Sequence, residues 1–233
     1  MPRSVSIIDY KVQQADFFLQ KLEACGPEFF AAQCYADAFV SACRSITFSV
    51  QAVCKEVSGF ESWYAEEQNR MKTNRLCVFF NNYRTASIHV GETPVLAGAG
   101  KQGEFHFFFM PTQDIPDVPE SDVLHACHAY FKSIIDLVFR LYTRFPTDLD
   151  DRWHYTKQHF ESRGLAVEDA EEAFGYPRGW TRLNGSEDEL IDRWRILRKL
   201  HTSGPPFRTS SRSISTRLLK VRTKENHERR PKH

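Results

Sequence analysis

The sequence predicts an all-α protein: an antiparallel helical bundle with a small β-hairpin insertion and a helical C-terminal extension. Three observations predict it. A continuous apolar stripe at helical spacing (Ala32, Tyr35/Ala36, Phe39/Val40, Cys43, Ile46, Val50, Val53/Cys54, Val57) runs for about seven turns. Further amphipathic stretches flank it, and the glycines and prolines between them leave only short connections, which makes neighbouring helices antiparallel. A single stretch, at about 93–110, reads instead as a strand pair.

Composition bounds the function classes. The 233 residues are 41% hydrophobic and 26% charged, enough for one core of roughly 150–200 residues. Lys and Arg total 31 against 30 acidic residues, but residues 205–233 hold nine Lys/Arg and two Glu. A uniformly basic nucleic-acid binder is thereby excluded, and a basic arm on a mildly acidic body remains. No apolar run approaches the length of a membrane span, and MPRSVSIIDYKVQQADFF lacks the apolar core of a signal peptide. Cys25, Cys34, Cys43, Cys54, Cys77 and Cys127 are scattered, with no CxxC pair. The expectation is a reduced, soluble, cytoplasmic protein with no membrane partner, no cofactor and no metal.

Residues 1–145 form the predicted bundle. Val12, Ala15, Leu19 and Leu22 mark the first helix, which Gly26-Pro27 breaks. The long stripe follows and stops at Ser58-Gly59. A third helix carries Phe60, Trp63/Tyr64, Glu67 and Met71 on one side; Leu76, Phe79/Phe80, Tyr83 and Ile88 then lead to Gly91. After the hairpin, prolines 111, 116 and 119 make a loop, and helix resumes over Asp122–Phe145 until Pro146. Residues 146–204 read as shorter, charged helices broken at Gly164, Gly175–Gly179 and Gly185. Residues 205–233, rich in Ser, Thr, Arg and Lys, read as a disordered or induced-fit arm.

Gly98-Ala-Gly100-Lys-Gln-Gly103 is a literal GxGxxG. A dinucleotide site needs a helix after it, whereas Glu104–Met110 looks like a strand, so the expected role is the hairpin turn. A kinase-type glycine loop does sit between strands, but no HRD or DFG element follows. His125 and His128 stand i, i+3 on a helix without a fitting second pair, which favours a partly buried helix over a metal site. His106, in the Phe-rich strand, reads as packed or solvent-facing on the alternate side.

The segment Asn81-Asn82-Tyr83-Arg84-Thr85-Ala86-Ser87-Ile88-His89-Val90-Gly91 contains Arg-x4-His near the end of a long helix. The pattern alone is cheap: a chain of this composition yields about 0.8 chance matches. Arg222/His227 is a second match, and looser spacings admit Arg195/His201 and Arg152/His159. The first of these lies in the basic arm, and the other two read as solvated stripes. Arg84 and His89 instead end a helix that packs in the core. They stand about 140° apart and about 7.5 Å along the axis, a spacing suited to a cleft where two copies of the helix face each other.

With these residues in view, the chain resembles the HEPN superfamily of small helical bundles. The resemblance rests on Arg84-x4-His89 after Phe-Phe-Asn-Asn-Tyr and closed by Gly91, on Phe39-Val-Ser-Ala-Cys-Arg44-Ser-Ile-Thr-Phe-Ser-Val-Gln51, and on Trp63-Tyr64. It covers roughly residues 8–145. It implies a metal-independent endoribonuclease of toxin or phage-defence type, acting as a homodimer and held in check by an antitoxin or other regulatory protein. Family members often have Asn, Asp or His after the Arg; here it is Thr85, with Asn81 and Asn82 nearby as supporting groups.

The chemistry the resemblance implies follows from residue type. His89 would take a proton from a ribose 2′-OH or give one to the departing 5′ oxygen. Arg84 would hold the scissile phosphate and stabilise its added charge. The products would be a 2′,3′-cyclic phosphate and a 5′-OH, from RNA and not DNA. Arg208, Arg212, Arg217, Lys220 and Arg222 would attract RNA non-specifically, or simply solvate a terminus. Two alternatives remain: a catalytically inactive HEPN-like module binding RNA or protein, and a structural helical protein in which Arg84 and His89 only finish a helix.

Overall fold

The computed structural model describes residues 6–101, 104–149, 156–173, 175–182 and 186–201. The protein is mostly helical, with one two-stranded antiparallel sheet. It forms two compact units that divide between Val138 and Phe139, inside a continuous helix.

The first unit opens with α1 (Ser6–Glu23), packed along α2 (Phe29–Cys54). Their apolar stripes face inward as the periodicity predicts: Val12, Ala15, Leu19 and Leu22 on α1, and Ala36, Phe39, Cys43, Ile46 and Val50 on α2, are buried. Each fully buried Val, Leu, Ile or Phe side chain contributes about 1.5–3 kcal/mol against its exposed state. α3 (Phe60–Thr73) and α4 (Arg75–His89) follow, and both α2 and α3 pack on α4. Asn74 separates them. Its backbone is extended, and its side chain accepts from the N–H groups of Leu76 and Cys77 at 2.9 and 3.2 Å, capping α4. The helix bearing Arg84 is therefore a 15-residue element that starts afresh. α5 (Val123–Arg144), capped by the Asp122 carboxylate on the His125 N–H, brings Phe131 against Phe39 and stacks Tyr130 on Phe80 at 4.4 Å.

The hairpin pairs β1 (Val95–Lys101) with β2 (Glu104–Phe109), Val95 opposite Phe109 and Lys101 opposite Glu104. Phe107 and Phe109 turn inward, and the Phe109 ring meets Phe79, Phe80 and Tyr83. His106 lies on the outer face, half-exposed, 3.9 Å from the Asp122 carboxylate. Gln33 ties the hairpin to α2 by donating to the Val95 carbonyl at 2.8 Å. The hairpin reverses between Lys101 and Glu104, inside the glycine-rich stretch as expected, but Gly98 to Lys101 are strand rather than turn; residues 102–103 lie outside the described residues. Gly98 is required by packing. A Cβ there would stand 2.7 Å from Phe105 Cε1, so the missing side chain makes room for the neighbouring ring.

In the second unit, α6 (Pro146–Leu149), α7 (Lys157–Glu161), α8 (Val167–Ala173) and α9 (Glu187–His201) are short and charged, as expected. Their core is Phe160, Val167, Ala170, Trp194 and Leu197, with Leu190 against it. Glu171 is fully buried. Its carboxylate accepts from the N–H groups of Gly179 (2.7 Å) and Thr181 (3.0 Å), from the Thr181 hydroxyl, and from Arg193 Nη2 (3.1 Å). Arg193 also reaches Glu168 at 2.7 Å and the Thr181 hydroxyl oxygen at 2.9 Å. One buried ion pair thus pins the segment from Gly175 to Arg182 to helices α8 and α9.

Candidate functional site

The distal half of α4 has two chemically distinct faces. Tyr83 and Ala86 are buried on the inner one. The Tyr83 hydroxyl donates to Asp37 Oδ1 on α2 at 2.5 Å and lies 3.1 Å from the Thr93 hydroxyl, just before β1. The hydroxyls of Ser87 and Thr93 also lie close enough to this carboxylate to favour its charged form. Burial pushes the Asp37 carboxyl above its usual range, against the opposing pull of these three hydroxyls. Burial, with the Asp37 charge beside it, pushes the Tyr83 phenol well above its own. This polar brace fixes α4 against α2 and the strand entry. Gly91, at φ 79°, ends the helix by returning its N–H to the Ala86 carbonyl at 3.0 Å.

The outer face carries the residues singled out from the sequence. Arg84 is half-buried, while Asn81, Asn82, Thr85 and His89 are exposed. Ile88, expected to face the core, is 50% exposed, because it stands about 140° around α4 from the buried Tyr83. Neither Arg84 nor His89 has a hydrogen-bond or ion-pair partner among the described residues. The Thr85 hydroxyl donates back to the Asn81 carbonyl at 2.9 Å. Helical geometry sorts these groups into two rows. Asn81, Arg84 and Ile88 lie along one edge of the outer face; Asn82, Thr85 and His89 lie along the other. The Arg84 and His89 Cα atoms are about 8–9 Å apart on opposite edges, so one copy of α4 does not close both on one atom.

Other candidates fall away or change character. His128 is buried, its Nε2 2.8 Å from Glu23 Oε1, which explains the histidine on that helix without a metal. No group of three or more His, Cys, Asp or Glu is placed to hold a metal ion among the described residues. His159, read as part of a solvated stripe, is buried against Phe160 instead. Arg195 is exposed and pairs with Asp192 at 2.9 Å. Arg152, Arg222 and His227, and the basic-arm residues Arg208, Arg212, Arg217, Lys220 and Arg222, lie outside the described residues. No described helix is long and apolar enough to cross a membrane.

Compared with family models, with curated proteins and with solved structures, the chain matches none. The site therefore rests on its own geometry. Sequence reasoning missed Asp37, Ser87 and Thr93, the groups that hold α4 in place. The available signal was Asp37 itself, a carboxylate inside the longest apolar stripe of the chain, where an ionisable group needs partners. Arg44 is the same kind of signal seven residues later.

Proposed function

We propose that this protein is a HEPN-type helical bundle acting as a metal-independent endoribonuclease of toxin or defence type in the cytoplasm. Its site is shared across a homodimer, and an antitoxin or other regulatory protein holds it in check. The observation that carries this reading is the outer face of α4: a guanidinium and an imidazole without partners among the described residues, held on a helix whose inner face is braced by Asp37, Tyr83 and Thr93. Groups without protein partners on a fixed element are poised for a ligand. Because Arg84 and His89 occupy opposite edges, a second α4 across a two-fold axis supplies the missing half of each site. The exposed Val78, Ile88 and Val90 around them give that face the apolar content an isologous contact needs.

Arg84 would grip the scissile phosphate through its planar fork, and His89 would move the proton between the 2′-OH and the leaving 5′ oxygen. The test is incubation of purified protein with total RNA in EDTA, beside Arg84→Ala and His89→Ala. Fragments ending in 2′,3′-cyclic phosphate from wild type alone are expected, and equal cleavage by both variants would refute the reading. A second reading has one observation in its favour. The Thr85 hydroxyl spends its proton on the Asn81 carbonyl, so it is not offered to a substrate. RNA bound tightly but left intact would select an inactive RNA-binding module.

A further inference from the structure

The second unit holds a cavity of about 750 Å³, walled by α8, the first turns of α9 and the segment from Gly175 to Arg182. The α4 site makes no use of it. Among the described residues its lining sets three guanidiniums, those of Arg178, Arg182 and Arg193, beside the carboxylates of Glu168 and Glu189, with Leu190 as an apolar patch. The volume lies within the range of sites that take small molecules.

Which of these groups are already satisfied decides what the cavity can take. Arg178 is occupied by Asp169 at 2.7 Å and Glu172 at 2.9 Å. Arg193 is only 5% exposed. Its Nη2 is spent on Glu168 and Glu171 and its Nε on the Thr181 hydroxyl oxygen, but its Nη1 has no partner among the described residues. A buried guanidinium that lines a cavity with one nitrogen unused is an incomplete hydrogen-bond set. Arg182 is exposed, and its guanidinium likewise has no partner among the described residues. Two donors are therefore open to an anionic group. The segment that presents Arg182 is itself pinned by Glu171, so that donor is held in advance of any ligand.

The surrounding charge has the opposite sign. Glu168, Asp169, Glu171, Glu172 and Glu189 place five carboxylates around three guanidiniums. Glu168 meets Arg193 through Oε1 alone. A ligand that is anionic throughout, such as phosphate, gains the open donors and is repelled by the carboxylate excess. A ligand carrying one carboxylate and one ammonium answers both.

We propose that this cavity binds a free α-amino acid. Its carboxylate is taken by Arg182 and by Nη1 of Arg193, its ammonium by Glu168, and its side chain lies towards Leu190. This goes beyond the ribonuclease reading and stands without it.

The test follows thermal unfolding of the full chain with each of the common amino acids added singly. At least one should raise Tm by about 5 °C at a hundredfold excess over its Kd, and saturably. In calorimetric titrations the amide of that amino acid, which lacks the carboxylate, and its N-acetyl form, which lacks the ammonium, should each bind at least about tenfold more weakly. Arg182→Ala should weaken the parent amino acid about tenfold; that side chain is exposed and makes no contact the fold needs, and the Tm without ligand checks this. Lys157→Ala, on an exposed pair with Glu161, serves as an indifferent control. Inorganic phosphate should show no saturable binding. The proposal is overturned if no amino acid shifts Tm, if the N-acetyl form binds as well as the free one, or if phosphate binds in its place. Amino-acid binding untouched by Arg182→Ala would put the ligand elsewhere and overturn it equally. Should Arg182→Ala fail to fold, the amide and N-acetyl comparisons on the wild-type chain still decide.

Discussion

Replacing Tyr83 by Phe tests the brace that holds the candidate site. Phe keeps the ring that packs on Phe79, Phe80 and Phe109, so no cavity opens and only the hydroxyl is lost. That hydroxyl donates to Asp37 at 2.5 Å, a charge-assisted bond while the carboxylate is ionised. Such bonds contribute about 1.5–3 kcal/mol, and the Ser87 and Thr93 hydroxyls stay near the carboxylate, so the cost at neutral pH is set at about 2 kcal/mol. The pH dependence has a definite sign. The folded-state pKa of Asp37 lies above its unfolded value, so its titration favours the fold in acid and loses that favour as pH rises through the folded pKa. Removing a donor from the charged form raises that pKa further, so the variant loses more as Asp37 ionises. Urea denaturation at pH 7 and near pH 4 should therefore show a deficit that shrinks in acid towards the value of a neutral hydrogen bond, about 1 kcal/mol. A deficit below about 0.5 kcal/mol at pH 7, or one equal at both pH values, would refute the charge-assisted brace.

Two further outcomes are expected. Glu171→Ala leaves Arg193 as a buried charge with one carboxylate fewer and releases two backbone N–H groups, at a cost of about 3–5 kcal/mol. Limited proteolysis should report it as new cleavage between Gly175 and Arg182, and an unchanged digest would show that the ion pair does not hold that segment. Mixing inactive Arg84→Ala with inactive His89→Ala should restore cleavage to roughly a quarter of wild type, because half of the mixed dimers are heterodimers with one intact shared site. No recovery after subunit exchange would place both groups of each site in one chain.

The helices of the first unit were legible because their burial follows a single period. Val12, Ala15, Leu19 and Leu22 repeat at 3.6 residues, and the same holds from Ala32 to Cys54. Apolar type without phase misleads. Ile88 stands about 140° around α4 from Tyr83, on the row of Asn81 and Arg84, and is exposed there. The place of the break between α3 and α4 was not fixed by the apolar pattern: Asn74 lies in the polar run Lys72-Thr-Asn-Arg75, where a capping side chain changes the backbone without disturbing any apolar position. Gly98–Lys101 misled through composition, since two glycines two apart suit a turn and also suit a strand that must accept a ring across the sheet. Glu171 is a buried polar group in a charged segment, and its burial is decided by Thr181 and Arg193 further along the chain. The outer face of α4 was legible as residues but not as an arrangement, because Asp37 and Thr93, which brace the opposite, inner face, are brought to it only by the fold.

On the proposed ribonuclease reading, electrostatics would divide the labour between the basic arm and the outer face of α4, and salt tells them apart. Binding to a single strand weakens with salt at a slope of about 0.7 in log K per log salt for each phosphate neutralised. The two Arg84 side chains of the proposed dimer would give a slope of only about 1.4, too shallow to draw a polyanion to a body with excess carboxylates. Neutralising Arg208, Arg212, Arg217, Lys220 and Arg222 to Gln in the full chain should lower the slope by about 3.5 if the arm engages the strand. That variant should cleave more slowly at limiting RNA and at the wild-type rate at saturation, because the arm raises encounter and leaves the reacting atoms alone. An unchanged slope would assign the arm to solvation, and the strand would then have to find its cations elsewhere on the protein. A fall in the saturated rate would mean that the arm reaches the site itself.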